Sequence, residues 1–342
     1  MKIKIITFLA VILLLLGVIG FNQKKESEYP ITLSGDILFT SNMDTGTRQK
    51  EIYMTTISKN EPTRITNTDY HHFLVGTDAE NRCLVVTRAI EDTNKPLGLG
   101  DEDKKSIWII DLEKGNETQL TDNQTIAEGD SFSPDGEWVV FWMQLTPETS
   151  SDIYKIRKDG SSLTQLTDTP LVNEFDPQWS NTGDKIAYIS YNLSVPRFVL
   201  KLMDANGENI DTVYDGKDVV STPRFPPGVY DPSWSPDDQW LVFEKPVMYN
   251  RENGDAGVWH IFKIRVDGTG LMDLSEIGGH SSWAEYLPSY SLDGASIVFS
   301  ARYESPNTSE IRIDVYIMDV DDGSLQKITQ SDAINDAAVW IK

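Results

Sequence analysis

Hydrophobic and polar positions alternate along the chain in short stretches, and four of those stretches align without a gap. They are Phe132-Ser-Pro-Asp-Gly-Glu-Trp-Val-Val-Phe141, Trp179-Ser-Asn-Thr-Gly-Asp-Lys-Ile-Ala-Tyr188, Trp234-Ser-Pro-Asp-Asp-Gln-Trp-Leu-Val-Phe243 and Tyr290-Ser-Leu-Asp-Gly-Ala-Ser-Ile-Val-Phe299. Each reads as a strand ending in an aromatic residue and serine, a tight Asp/Gly turn and a hydrophobic strand, which together predict a β-hairpin. A short strand, an Asp-Gly turn and a strand ending in a Leu-Thr-like pair follow, as in Ile153 to Ile156, Asp159-Gly160 and Leu166-Thr167. Weaker copies run from Ile52 to Thr66 and from Ile107 to Thr121.

With the turn placed at Ser34, Asn81, Gly136, Gly183, Asp238 and Gly294, the spacings are 47, 55, 47, 55 and 56 residues. Four strands per repeat, six times over, predict an all-β, six-bladed β-propeller, because each four-stranded antiparallel blade exposes apolar faces that only its neighbours cover. The phase of the repeat adds a closure. Gly35 to Phe39 begins at a second strand, and the missing first strand recurs at Asn335 to Ile341, with its tryptophan at Trp340. The C-terminal strand is therefore expected in blade 1, where it removes two open sheet edges.

The 342 residues include 30 Lys+Arg against 53 Asp+Glu, a net charge of −23 that repels nucleic acid and anionic lipid. Aromatics at 10% and hydrophobics at 39% place that charge on a folded body rather than a disordered tail. A single cysteine, Cys83, excludes an internal disulfide and a multi-cysteine zinc site.

At the N-terminus, Lys2 and Lys4 precede an apolar run from Ile5 to Ile19 broken only by Thr7. Residues 1–22 thus read as a signal peptide, with cleavage after Gly20, or as a membrane anchor, with residues 23–30 as linker and 31–342 as propeller. Residues 5–21 are the only segment expected to meet a membrane. No cysteine follows the run to carry a lipid.

The Trp234-Ser-Pro-Asp-Asp and Ser133-Pro-Asp-Gly elements, with Met318-Asp-Val-Asp-Asp-Gly323 leading to Ile328-Thr329, resemble the TolB-like (WD-repeat-like) propeller family over about residues 31 to 342. The resemblance implies the propeller fold. TolB itself carries an α/β domain before its propeller, and the stretch from Gln23 to Gly35 is too short to hold one, so that domain is expected to be lacking.

In such blades the tight hairpins share one face, and the insertions share the other: Arg88 to Lys105, Asp215 to Asp231, Glu244 to Val258, Ser275 to Leu287 and Ala301 to Glu310. The long-loop face holds 28 acids against 12 bases, most of the net charge, and is the expected recognition face. Its charge suits a basic protein or peptide, or Ca²⁺ as a bound ion. Its aromatics suit carbohydrate.

Candidate binding residues are those near the starts of innermost strands and in the adjoining loops: His72, Glu174, Asp176, Arg197, Arg224, Asp231, His280, Trp283, Glu285 and Arg302. Asp176 and Asp231 stand in Asp-Pro-x-Trp-Ser, where a turn-forming aspartate that bonds nearby backbone N–H groups is the competing role. No catalytic, cofactor or metal set emerges. The Gly-x-Ser-x-Gly elbow, the phosphate loop and the dinucleotide fingerprint are all missing from the chain, and the Asp-Gly turns lack the spaced carboxylates of an EF-hand.

The expectation is an exported or membrane-anchored, monomeric binding module of the cell envelope, periplasmic or extracellular. The alternative is a propeller enzyme acting on oligosaccharides, resembling polysaccharide lyases. A cluster of His72, His280, Arg197, Arg224 and Arg302 at the channel mouth would distinguish it.

Overall fold

The computed structural model describes residues 31–34, 36–45, 49–58, 61–90, 104–146, 149–217, 228–248, 257–280, 282–304, 311–330 and 332–341. The expected signal or anchor and its linker lie outside these residues, as does Arg224. Among the described residues, the one helix is a single turn, Leu274–Ile277, and no helix is long and apolar enough to cross a membrane.

The strands, in chain order, are β1 (Ile37–Ser41), β2 (Glu51–Thr55), β3 (Thr63–Arg64), β4 (Tyr70–Thr77), β5 (Cys83–Ile90), β6 (Ser106–Asp111), β7 (Glu117–Gln119), β8 (Ile126–Phe132), β9 (Trp138–Gln144), β10 (Ser151–Arg157), β11 (Thr164–Gln165) and β12 (Val172–Trp179). They continue as β13 (Lys185–Asn192), β14 (Val195–Asp204), β15 (Asp211–Tyr214), β16 (Tyr230–Trp234), β17 (Trp240–Met248), β18 (Val258–Arg265), β19 (Met272–Asp273), β20 (Ala284–Tyr290), β21 (Ser296–Glu304), β22 (Ile311–Asp319), β23 (Leu325–Lys327) and β24 (Asn335–Trp340).

Four sheets have four strands each, in the orders β24-β1-β2-β3, β4-β5-β6-β7, β8-β9-β10-β11 and β12-β13-β14-β15. A fifth holds eight strands, β16 to β23. Its halves share a single ladder pair, the parallel Trp259 and Ala284. The expected closure is present: β24 runs antiparallel to β1, with Trp340 opposite Ile37 and Asn335 opposite Ser41.

The hairpins explain the repeated letters. Ser133 donates to Asp135 at 2.5 Å, Asp135 accepts from Glu137 N at 3.0 Å, and Ser133 Oγ accepts from Trp138 N at 2.9 Å. The same three bonds recur at Ser235, Asp237 and Trp240 and at Ser291, Asp293 and Ser296. Asn81, Gly136, Gly183, Asp238 and Gly294, five of the six turn positions, have positive φ between 54° and 78°, which Gly, Asn and Asp adopt at least cost.

Packing follows the same order. Each hydrophobic cluster straddles two successive sheets or, where Val242 and Ile261 meet Tyr290 and Phe299, the two halves of the eight-stranded one. Val85 and Ile109 of one meet Phe132 and Phe141 of the next, and Leu200 and Val213 meet Trp234 and Phe243. The circuit ends where Val298, Val315 and Ile317 pack on Ile37, Phe39 and Ala338. Burial at about 25 cal/mol per Å² is thus spent between four-stranded units, and none of these units has a core of its own.

Candidate functional site

Every innermost strand breaks its own ladder at one place. The register shifts between His72 and Leu74, Glu128 and Ser131, Phe175 and Gln178, Tyr230 and Ser233, and Tyr286 and Ser289, and opposite Leu38/Thr40 in β24. In four of these bulges a non-glycine residue takes positive φ: Asp176 at 50°, Asp231 at 49°, Leu287 at 55° and Ala337 at 49°. Left-handed backbone at a side-chain-bearing residue costs on the order of 1 kcal/mol, and repetition around the ring marks it as a built feature. Pro177, Pro232 and Pro288 fit directly after it, because a bulge leaves a residue whose N–H is not needed for the ladder.

The bulges line a central cavity of about 360 Å³. Asp176, Asp231 and Glu128 contribute carboxylates, and Phe132, Trp179, Trp234, Tyr290 and Trp340 form the walls beyond them. Its lining runs on to Pro134, Asn181, Pro236 and Leu292, so it extends toward the hairpin face. The long-loop face, where recognition is expected, lies at the opposite ends of the same inner strands.

The indoles of this wall are not equivalent. Trp234 donates Nε1–H to the carbonyl of Gln178 and Trp340 to that of Ser289, both at 3.0 Å. Trp179 Nε1 is buried without a partner among the described residues, and so is Thr77 Oγ1 on the same lining. A buried donor left unmade costs about 1–3 kcal/mol. Behind the wall, Glu244 accepts from Leu287 N at 2.5 Å, and burial, reinforced by the charge of Asp176, holds its carboxyl well above the usual range. Asp231 N approaches Asp176 Oδ2 at 3.5 Å. Glu128 is paired with Lys105 at 2.6 Å.

The other sequence-predicted residues are scattered. Glu174 and Glu285 are buried, not at a mouth. They belong to a repeated joint that the Leu-Thr pairs build. The hydroxyls of Thr66, Thr121, Thr167, Ser275 and Thr329 accept the backbone N–H fourteen residues earlier, at 2.9–3.0 Å. Three of them then donate to a buried carboxylate: Thr66 to Glu51 at 2.6 Å, Thr329 to Asp314 at 2.8 Å and Ser275 to Glu285.

His280 bonds Glu285 through Nδ1, and His72 lies 3.5 Å from Glu51, with burial holding the His72 ring neutral. Ser275, Glu285 and His280 look like a hydrolytic triad, but the serine donates to the carboxylate and not to the ring, and all three are buried. They form a joint between sheets. Glu174 sits in the corresponding place with Oε2 unpartnered among the described residues, and burial pushes its carboxyl up to about 7.

Trp283 stacks on Tyr303 with ring centroids 5.0 Å apart, packing a loop onto the sheet. Arg302 stands opposite Ala284 on β21, and Arg197 lies on β14 with Nη1 donating to Asp215 O at 3.3 Å. The structure therefore brings Asp176 and Asp231 together and leaves His72, His280, Arg197 and Arg302 apart. Thr77, Trp179, Glu128 and Glu244 escaped the sequence reading. For Thr77 and Trp179 there was a signal in the repeat, since each stands four residues before its turn position, Asn81 and Gly183, as Phe132 does before Gly136. Among the described residues no group of three His, Cys, Asp or Glu side chains gathers for a metal ion.

No protein-family model matches the chain. An uncharacterized protein of Agrobacterium fabrum is 34% identical over 146 residues, 40% of this chain and 46% of that one, so the match spans less than half of the curated relative. Among solved structures, TolB from Acinetobacter baumannii superposes with a TM-score of 0.65 at 14% identity, over 90% of this chain and 67% of that one. A putative TolB from Agrobacterium tumefaciens gives 0.61 at 16%, over 90% and 98%. The nidogen/laminin complex gives 0.61 at 12%, over 89% and 97%. Identities this low speak for fold alone, and that fold, with its successive antiparallel sheets around a bulge-lined cavity, is the TolB-like β-propeller.

Proposed function

We propose that the protein is an exported, envelope-located, six-bladed propeller that acts as a protein-binding module through its central cavity. The observation that carries this reading is a central cavity that Asp176 and Asp231 make acidic and that Trp179, Trp234 and Trp340 wall. A partner segment that sets a basic side chain beside the carboxylates and apolar groups on the indoles gains both contacts. The similarity to a chain solved in the nidogen/laminin complex supports a protein as partner. The six repeats of four strands support the blade count, with β16–β19 and β20–β23 as separate blades. Lys2 and Lys4 before Ile5 to Ile19 support export.

The test is capture of envelope proteins on the immobilised propeller, beside a double Asp176→Asn, Asp231→Asn variant. Asparagine tolerates positive φ, so the bulges survive. A partner retained by the native chain, lost from the variant and released by salt supports the reading. A partner held equally by both chains overturns it.

A further inference from the structure

A second concavity lies away from the central one, on the outer half of β12–β15. One face of this sheet is covered by the preceding sheet along the row of Ile186, Tyr188 and Met203, which pack on Val140 and Ile153. Further along the same face the cover by the described residues ends. Alternate residues of β14, namely Val195, Arg197, Val199 and Lys201, line a cavity of about 300 Å³ with Ser190 and Asn192 of β13. Asp215 and Lys217 complete it. In a chain of net charge −23, three cations thus meet one acid at a single hollow. Lys217 is paired with that acid, Asp215, leaving Arg197 and Lys201 to set the field.

The rim has a different character. Leu171, Leu193 and Val195 are 63%, 53% and 53% exposed, and Leu193 N bonds Leu171 O at 3.0 Å, so the three form one apolar edge. Among the described residues no aromatic ring lines the hollow, which leaves a sugar without a stacking surface there.

We infer that this hollow is a docking site for a protein segment carrying a carboxylate beside an aliphatic side chain, the carboxylate facing Arg197 and Lys201 and the aliphatic group lying on Leu171, Leu193 and Val195. The site stands apart from the central cavity and has the opposite charge, so it does not depend on the function proposed above. A carboxylate on Arg197 makes a charge-assisted contact that a rigid guanidinium favours, and the apolar edge supplies the area that a lone ion pair lacks.

The experiment is fluorescence anisotropy on the full chain with two labelled peptides. One is Leu-Asp-Leu amidated at its end, and the other is Leu-Gly-Leu with a free terminal carboxylate. The peptide that binds identifies a side-chain or a terminal carboxylate as the natural group. An Arg197→Gln, Lys201→Gln double variant should weaken binding by about tenfold, and Arg197→Lys, Lys201→Arg should restore most of it. The Asp176→Asn, Asp231→Asn variant should bind both peptides as the native chain does. Matching thermal midpoints would show that the variants are folded. Failure of both peptides to bind at millimolar concentration, equal binding by the Gln variant, or equally strong competition by an acidic trisaccharide would overturn the proposal.

Discussion

Trp340 donates its indole N–H to the carbonyl of Ser289 at 3.0 Å, across 51 residues of sequence, and so fastens β24 to β20 as well as to β1. Deleting residues 335–342 removes that bond, the ladder to β1 and the cover over Ile37 and Val298. The truncated chain should lose at least about 3 kcal/mol of stability. Urea unfolding measures this directly, and an unchanged midpoint would show that β24 is dispensable.

The three wall tryptophans should respond differently to one substitution. Trp234→Phe and Trp340→Phe each delete a hydrogen bond and should cost about 1 kcal/mol. Trp179→Phe deletes a donor that has no partner among the described residues, and should cost about half as much or less. If Trp179→Phe is the most destabilising of the three, the indole has a partner in the folded chain.

Thr329 serves the backbone N–H of Val315 and the carboxylate of Asp314 at once. Thr329→Val keeps the shape and strands the Val315 N–H and one oxygen of Asp314 in a buried joint, so a loss of about 2–3 kcal/mol is expected. Thr329→Ser keeps the hydroxyl and should recover most of it. The exposed Thr118→Val change, on β7, is the control and should stay within about 0.5 kcal/mol. Chemical denaturation of the four proteins checks the order.

Burial raises Glu174 from 4.5 to about 7, so the native chain binds a proton there that the unfolded chain has already released. Its contribution to stability is complete below about pH 4.5 and is lost as pH rises through 7, by on the order of 3 kcal/mol. Glu174→Gln lacks this slope. The difference in melting temperature between the variant and the native chain should therefore be small near pH 4.5 and favour the variant increasingly up to pH 8. A difference that does not vary with pH would mean that Glu174 is ionised in the fold.

What was legible in the sequence is what repeats locally. Ser133, Asp135 and Trp138 close their turn within six residues, so the same letters return with each hairpin, and the missing strand at Gly35 could be matched to Trp340 by phase. The site was less legible because a bulge changes which way a side chain faces. Glu174 and Asp176 would share a face of a regular strand. The positive φ of Asp176 separates them, sending one to a sheet joint and the other to the cavity. Trp179 and Trp234 carry identical motifs, and only the distance to a neighbouring carbonyl tells them apart. Arg197 and Lys201 fall into one hollow because the preceding sheet stops short, which no spacing within β14 records.

The pairing of β1 with β24 also sets a timetable. Thr40 Oγ1 bonds Asp336 across 296 residues, so the sheet that forms around Ile37–Ser41 stays incomplete until the whole of that span has been made. Loop closure over such a span is entropically slow, and an edge left open during synthesis is a target for chaperones and for aggregation. A rearranged gene that starts the chain at Ser331 and joins Trp340 to Ile37 through a short linker would supply both strands together, and the newly made chain would no longer have to protect that edge while it waits.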